Sequence, residues 1–292
     1  MILNKNMKNI IRNSLSSKYQ RFVKRGFSGI TASSRVLPDF IIIGTVRSGS
    51  TSLYHNICEH PSIIPAAYDE IGYFDSNYHL GINWYRSMFP TNKEMMKTKK
   101  DTGHAKTGED TPFYIWNLDA AKRIYKDLPY AKIISIFRNP IDRAYSNYNV
   151  GKRAGTSKEF VGITEKLSFE DAIDKEIEFM KNNSLQKSIE QRGSYLSKGH
   201  YAQQLKIWLD IFPKEQIHVL STEDMEKSPE TTISKIFQFL DIPEYTIKNP
   251  QRQKYFKYPQ MKTETRAKLV DYYKPLNEEF FKMIGKKFNW EV

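Results

Sequence analysis

Hydrophobic and polar positions follow two different periods along the chain. Phe40-Ile41-Ile42-Ile43-Gly44 is a short, unbroken run after Pro38-Asp39, the pattern of a strand buried on both faces. Lys132–Phe137 repeats it, and so does 216–220 with Ile217, Val219 and Leu220. Between these runs the period lengthens. Residues 52–59 predict a helix ending before Pro61, and residues 141–150 predict another. Phe169, Ala172, Ile173, Ile177 and Met180 form an amphipathic stripe behind a Ser168 cap. Tyr201, Leu205, Trp208, Leu209 and Phe212 form a second, and these aromatics are expected in the core. Ser228-Pro229 opens a helix with proline at its first position, turning Ile233, Ile236, Phe237 and Leu240 inward. Strands alternating with helices predict an α/β domain with a central, mostly parallel sheet flanked by helices. No internal repeat interrupts the pattern. The irregular stretches are 151–166 and 245–262, and long loops of this kind often carry function.

Composition narrows the class. The chain has 292 residues, 39% of them hydrophobic and 27% charged, which suits a globular core. One cysteine, Cys58, excludes an intramolecular disulfide and a multi-cysteine metal site. The six histidines show no zinc-like pairing, and a histidine-only site would need the fold to assemble it. No apolar run reaches the ~18 residues of a membrane-spanning helix. The net charge of +12 is unevenly spread. Residues 1–36 hold eight basic side chains and no acid, leaving 37 basic against 33 acidic residues from 37 onward. The chain therefore divides into a basic tail, 1–36, and a single domain, 37–292. A nearly balanced body argues against nucleic acid as a partner. Ile10, Ile11, Leu15, Tyr19, Phe22 and Val23 fall at roughly helical spacing in the tail. Three readings stay open for it: a solvated arm, an amphipathic helix on an anionic membrane surface, or an organellar transit peptide.

Gly44-Thr45-Val46-Arg47-Ser48-Gly49-Ser50-Thr51 leaves a buried strand and enters a helix. Backbone N–H groups at such a helix start hold phosphate. The two glycines permit a tight turn, and Ser48, Ser50, Thr51 and Ser52 add hydroxyl donors. The G-x-x-x-x-G spacing matches a Walker A loop, but Ser50 stands where that loop needs lysine. The cation sits inside the loop instead, at Arg47. That pattern suits a ligand without a γ-phosphate. A second arginine motif follows the second strand: Phe137-Arg138-Asn139-Pro140-Ile141-Asp142-Arg143-Ala144-Tyr145-Ser146. Arg138 at a strand end suits bidentate phosphate contact, and Ser146 can add a hydroxyl two helical turns on. Arg143 is open to either phosphate contact or an acid.

These two motifs resemble the 5′-phosphosulfate and 3′-phosphate motifs of sulfotransferases that use 3′-phosphoadenosine 5′-phosphosulfate (PAPS). Glu70-Ile71-Gly72-Tyr73-Phe74-Asp75, Tyr78-His79 to Trp84-Tyr85, Gly108-Glu109-Asp110-Thr111-Pro112, Gly199 to Trp208 and Tyr258-Pro259 to Phe280 are similar to the heparan sulfate N-sulfotransferase domain and to 3-O-sulfotransferases. The resemblance spans about 37–292. It implies a P-loop-like, three-layer fold and transfer of a sulfonate from PAPS to a hydroxyl or amine of a glycan, glycolipid or similar acceptor, with no metal. It implies Glu70 as general base, although Asp69 is adjacent. Arg47 stands where the heparan enzymes have lysine, and it acts as a fixed charge, since arginine does not release its proton. The donor-gating segment corresponds to Lys254-Tyr255-Phe256-Lys257-Tyr258-Pro259, in which Lys254 is expected to reach a donor phosphate and Tyr255, or alternatively Phe256, to stack on adenine. Asp110 departs from the family, whose heparan members carry lysine there. Two other classes compete: a P-loop nucleotide kinase, opposed by Ser50, and a non-enzymatic membrane- or nucleic-acid-binding protein. A cytoplasmic, membrane-peripheral location is the expectation.

Overall fold

The computed structural model describes residues 31–154, 166–191, 193–247, 250 and 258–290. In chain order the main elements are β1 (Phe40–Gly44), α1 (Ser50–Ile57), β2 (Ile63–Pro65), α2 (Ile82–Arg86), α3 (Asn92–Thr102), β3 (Lys106–Asp110), α4 (Leu118–Asp127), β4 (Lys132–Phe137), α5 (Pro140–Ala154), α6 (Phe169–Lys181), α7 (Leu185–Glu190), α8 (Tyr201–Leu209), β5 (Ile217–Ser221), α9 (Thr222–Lys227), α10 (Pro229–Phe239) and α11 (Thr263–Ile284). The five strands are all parallel, in the order β2-β3-β1-β4-β5. All of their C-terminal ends therefore open on one edge.

The alternation of side chains explains the layering. Ile41 and Ile43 of β1 point into a cluster with Tyr114, Trp208 and Phe280 on one face. Phe40 and Ile42 point into the opposite cluster, with Leu53, Ile57, Ile233 and Phe237. Helices cover both faces, as strands apolar on both sides require. A third cluster joins α5, α6 and α11 through Tyr148, Phe169, Ile173, Leu269 and Tyr273. It roots the helix that carries Ser146. Among the described residues no helix is long and apolar enough to cross a membrane.

The sequence reading and the structure differ at the edges. α1 begins at Ser50, two residues early, because Gly49 (φ 88) makes the turn by itself. α5 starts at Pro140 and runs to Ala154, into the stretch read as irregular. β5 starts at Ile217, because residues 214–216 form a 3₁₀ turn. Ser168 caps α6 by accepting the Asp171 N–H at 3.1 Å. Ser228 precedes Pro229 as expected but makes no side-chain cap bond. Residues 1–30 of the tail lie outside the described residues. Residues 31–36 pack against the body: Arg35 Nη1 donates to the Phe89 carbonyl at 2.6 Å, and Val36 N–H to the Pro90 carbonyl at 3.1 Å.

β2 and β3 escaped the hydrophobic pattern. β3 reads Lys-Thr-Gly-Glu-Asp, yet its last four residues are buried. Hydrogen bonds replace apolar side chains there: Thr107 N–H donates to Asp39 Oδ2 at 2.9 Å, and Thr107 Oγ1 to the Ile64 carbonyl at 2.6 Å. Gly108 is required by close approach, since a Cβ at this position would lie 2.4 Å from two atoms of the fully buried Phe40 ring. Gly108→Ala should therefore cost about 1–3 kcal/mol of stability by overpacking, read as a lower midpoint in urea unfolding with an unchanged slope.

Candidate functional site at the carboxyl edge of the sheet

The loop after β1 is tied down from three sides. Thr45 N–H donates to the Ile136 carbonyl at 2.7 Å, and the Thr45 and Ser48 hydroxyls bond to each other at 2.5 Å. From the end of β5, the Thr222 hydroxyl reaches the Ser48 carbonyl at 2.7 Å and the Phe137 carbonyl at 3.0 Å. Gly49 is left-handed, with open space where a Cβ would be. Ser50 then begins α1, so the first N–H groups of that helix lack intrahelical partners. Ser48, Ser50 and Thr51 are buried around this start, and Ser52 is half-buried.

Arg47 links the loop to the second motif. Its Nε donates to Ser146 Oγ at 3.2 Å, across 99 residues of sequence. Arg138 Nη1 donates to the Arg47 carbonyl at 3.3 Å. Burial, and then the neighbouring Arg138 charge, pull the Arg47 guanidinium below its ordinary pKa, while Tyr258 and Glu70 oppose this. Ser146 is buried on α5. The turn carrying Arg138 is held by Glu223, which accepts Asn139 N–H at 2.9 Å and Trp290 Nε1–H at 2.8 Å. Tyr201 O–H donates to the Arg138 carbonyl at 2.9 Å. Arg143, left open by sequence, is fully buried and donates through Nη2 to the Tyr195 carbonyl. Among the described residues it pairs with no acid, and its Nε and Nη1 have no hydrogen-bond partner.

Glu70 and Asp69, which sequence alone could not separate, have different surroundings. Asp69 lies 3.1 Å from His55 Nε2 as a surface pair. Glu70 is held in the left-handed region (φ 52), and its N–H donates to the Asp110 carbonyl at 2.9 Å. Among the described residues only Arg47 (φ 68), Glu70 and Asp241 (φ 55) are non-glycine residues with positive φ. Such conformations cost on the order of 1–3 kcal/mol and cluster at functional sites. Two of the three fall on the residues singled out for chemistry. Asp110, where the heparan enzymes carry lysine, is fully buried at the end of β3. It offers its carbonyl to Glu70 and presents no cation.

Three contributors were missed in the sequence. Lys198 lies 5.1 Å from the Trp116 ring centre, and burial and then the Arg143 charge lower its pKa to about 8, against Glu176. Glu176 is buried and accepts N–H bonds from Tyr195, Leu196 and Ser197 at 2.6–2.8 Å, which shapes the turn bearing Lys198. Glu109, noticed only inside a motif, is a fully buried carboxyl. None carries a local sequence signal, because each acts through residues distant in the chain. Lys254 and Tyr255, expected to contact donor, lie outside the described residues. Among the described residues no group of three or more His, Cys, Asp or Glu is placed to hold a metal ion.

An all-parallel α/β sheet whose first loop and fourth-strand loop bring two arginines together defines a P-loop-like fold. The sulfotransferase domain family matches residues 37–290, and the chain belongs to that family of transferases. It is 27% identical over 320 residues to the membrane-associated sulfotransferase kil1 of Dictyostelium discoideum, covering 87% of this chain and 67% of that protein. It is also 27% identical to bifunctional heparan sulfate N-deacetylase/N-sulfotransferase 1 of Caenorhabditis briggsae, covering 88% of this chain but spanning only 31% of that enzyme. A solved sulfotransferase from Alicyclobacillus acidocaldarius superposes with a TM-score of 0.66 at 25% identity, covering 87% of this chain and 98% of that one.

Thr222 clamps the β1 loop to β4 with one hydroxyl. Thr222→Val should cost roughly 1 kcal/mol, seen as a lower melting temperature without loss of the cooperative transition.

Proposed function

We propose that the chain transfers a sulfonate group from PAPS to a hydroxyl or amine of a carbohydrate-type acceptor. The observation that carries this is the convergence of Arg47, Arg138 and Ser146 through contacts of 3.2 and 3.3 Å. One ligand with anionic groups at both ends could engage both motifs. In this reading Arg47 with Ser48, Gly49, Ser50, Thr51 and Ser52 binds the 5′-phosphosulfate. Arg138 and Ser146 bind the 3′-phosphate, and Lys254 and Tyr255 complete the donor site. The residues fit such a donor chemically: two guanidinium groups, several hydroxyls and a helix start suit phosphate and sulfonate oxygens.

The reaction is an in-line displacement. The acceptor oxygen or nitrogen forms a bond to sulfur as the bridging sulfur–oxygen bond breaks. Its electron pair leaves with adenosine 3′,5′-bisphosphate. Glu70 takes the acceptor proton, and a positioned base typically contributes 10²–10⁴-fold. The fixed positive charge of Arg47 stabilises the departing phosphate oxygen. Arg47 cannot serve as the acid, because a guanidinium keeps its proton. The names of the heparan N-sulfotransferase relatives support a glycan acceptor, and kil1 is named as membrane-associated. A cytoplasmic location and a role of residues 1–36 at the membrane belong to this same reading.

Two experiments test it. Adenosine 3′,5′-bisphosphate at 100 times its dissociation constant should stabilise the protein by about 2.7 kcal/mol. ATP with Mg²⁺ should turn over no faster than in buffer, and absence of stabilisation by the bisphosphate would remove the donor site. Labelled PAPS should then be offered with N-desulfated heparan oligosaccharides, neutral glycolipids and small alcohols. With the acceptor turned over fastest, Glu70→Gln and Arg47→Ala should each lower kcat by at least about 10²-fold while melting stays cooperative. Retained turnover in both variants would end the assignment.

A further inference from the structure

The buried carboxyl group of Glu109 has no part in the mechanism above, yet its hydrogen bonds lead to the Glu70 turn. Thr111 Oγ1 donates to Glu109 Oε2 at 2.7 Å, and Tyr114 O–H donates to Oε1 at 3.3 Å. Each hydroxyl, having spent its proton on the carboxylate, accepts a backbone N–H with a lone pair. Thr111 Oγ1 accepts from Gly72 and Tyr114 OH accepts from Phe74, both at 3.2 Å. A third bond, Tyr85 O–H to Oε1 at 2.6 Å, closes the site from α2. The residue after Glu109 on the same strand also holds the turn directly, since the Asp110 carbonyl accepts Glu70 N–H.

We propose that Glu109 is a positioning residue for the Glu70 turn: its ionised carboxylate orients the Thr111 and Tyr114 hydroxyls so that both accept backbone N–H groups two and four residues beyond the base. The proposal rests on Glu70 being the base. Its physical content is one of polarity. A carboxylate only accepts, so both hydroxyls must point their protons at it and their lone pairs at the turn. An amide or a protonated carboxyl must donate on one side. The hydroxyl facing that donor must accept from it, so its own proton loses the acceptor that fixed its direction and that branch of the support is weakened.

The titratable groups facing Glu109 are Tyr85 from α2, Tyr114 from the turn after β3 and Asp75 from the 71–77 loop; Asp110, next on the strand, points to the opposite face. Burial raises the Glu109 pKa to about 7, against the three hydroxyl bonds, and Asp75 adds to the rise. Burial also holds both tyrosines well above their ordinary range, so they stay neutral donors. Glu109 therefore loses its accept-only character as pH falls through about 7, and kcat falls with it.

The test uses the whole chain, with Glu109→Gln and, as a variant that removes one branch only, Thr111→Val. Hydrogen exchange of the peptide spanning 70–77 should quicken by roughly 10-fold in both variants while the β1 loop and α5 keep their protection. With PAPS and the acceptor turned over fastest, kcat should fall by roughly 10- to 100-fold. Affinity for adenosine 3′,5′-bisphosphate should stay within about twofold of the parent. The acid limb near pH 7 should vanish in Glu109→Gln. Unchanged exchange at 70–77 overturns the proposal, as does faster exchange there with unchanged kcat. A parallel fall in bisphosphate affinity and kcat in Thr111→Val overturns it too, since that is the mark of general loosening. If Glu70→Gln remains active while the exchange result holds, the base assignment fails and the hydrogen-bonded support for the turn survives.

Discussion

Parallel strands buried on both faces impose a direction on everything above them. Because β1 to β5 all run the same way, every strand exit lies on one edge. The loops after β1 and β4 leave adjacent strands, so Arg47 and Arg138 meet although they are far apart in sequence. The contact of Arg47 with Ser146 and of Arg138 with the Arg47 carbonyl follows from that geometry. Two like charges held this close oppose one another, and after burial the Arg138 charge is what most pulls the Arg47 guanidinium below its ordinary pKa. A bound polyanion would relieve that opposition.

The site is braced from below by polar groups that an apolar core would not supply. Thr222 ties the β1 loop to β4, Glu223 ties the β4 turn to Trp290, and Glu176 shapes the turn bearing Lys198. The Glu223 and Glu176 carboxylates each accept more than one donor, as burial demands. Such bracing can hold the strained backbone at Arg47 and Glu70, since positive φ persists only where surroundings over-determine it. The same economy governs β3. Its polar sequence would not form a buried strand alone, but the Thr107 hydroxyl and the Glu109 carboxylate are engaged by neighbours.

The legible parts of the fold were those with a local cause. The apolar runs of β1, β4 and β5, the Ser168 cap and the Pro229 helix start are written in adjacent residues, and the structure places an element at each. α11 was read only as a family-like stretch from Tyr258 to Phe280, although it is a 22-residue helix. Pro275 inside it argues against a helix locally, and packing of Leu269, Tyr273 and Phe280 overrides that preference. β2 is only three residues long and ends at a proline, too short for any period to register.

For the site, the sequence by itself determined the chemical types and their local frames: a glycine-flanked loop with Arg47 after one strand, and Arg138 eight residues before Ser146 after another. Those follow from neighbouring residues, because strand exits and helix starts are short-range structures. Only the tertiary structure decided that Glu70 rather than Asp69 sits in a constrained turn, that Arg143 belongs to the core, and that Glu109 lies beneath Thr111 and Tyr114. Hydrogen-bond partnership and burial depend on which strands lie side by side, and nothing along the chain encodes that register residue by residue.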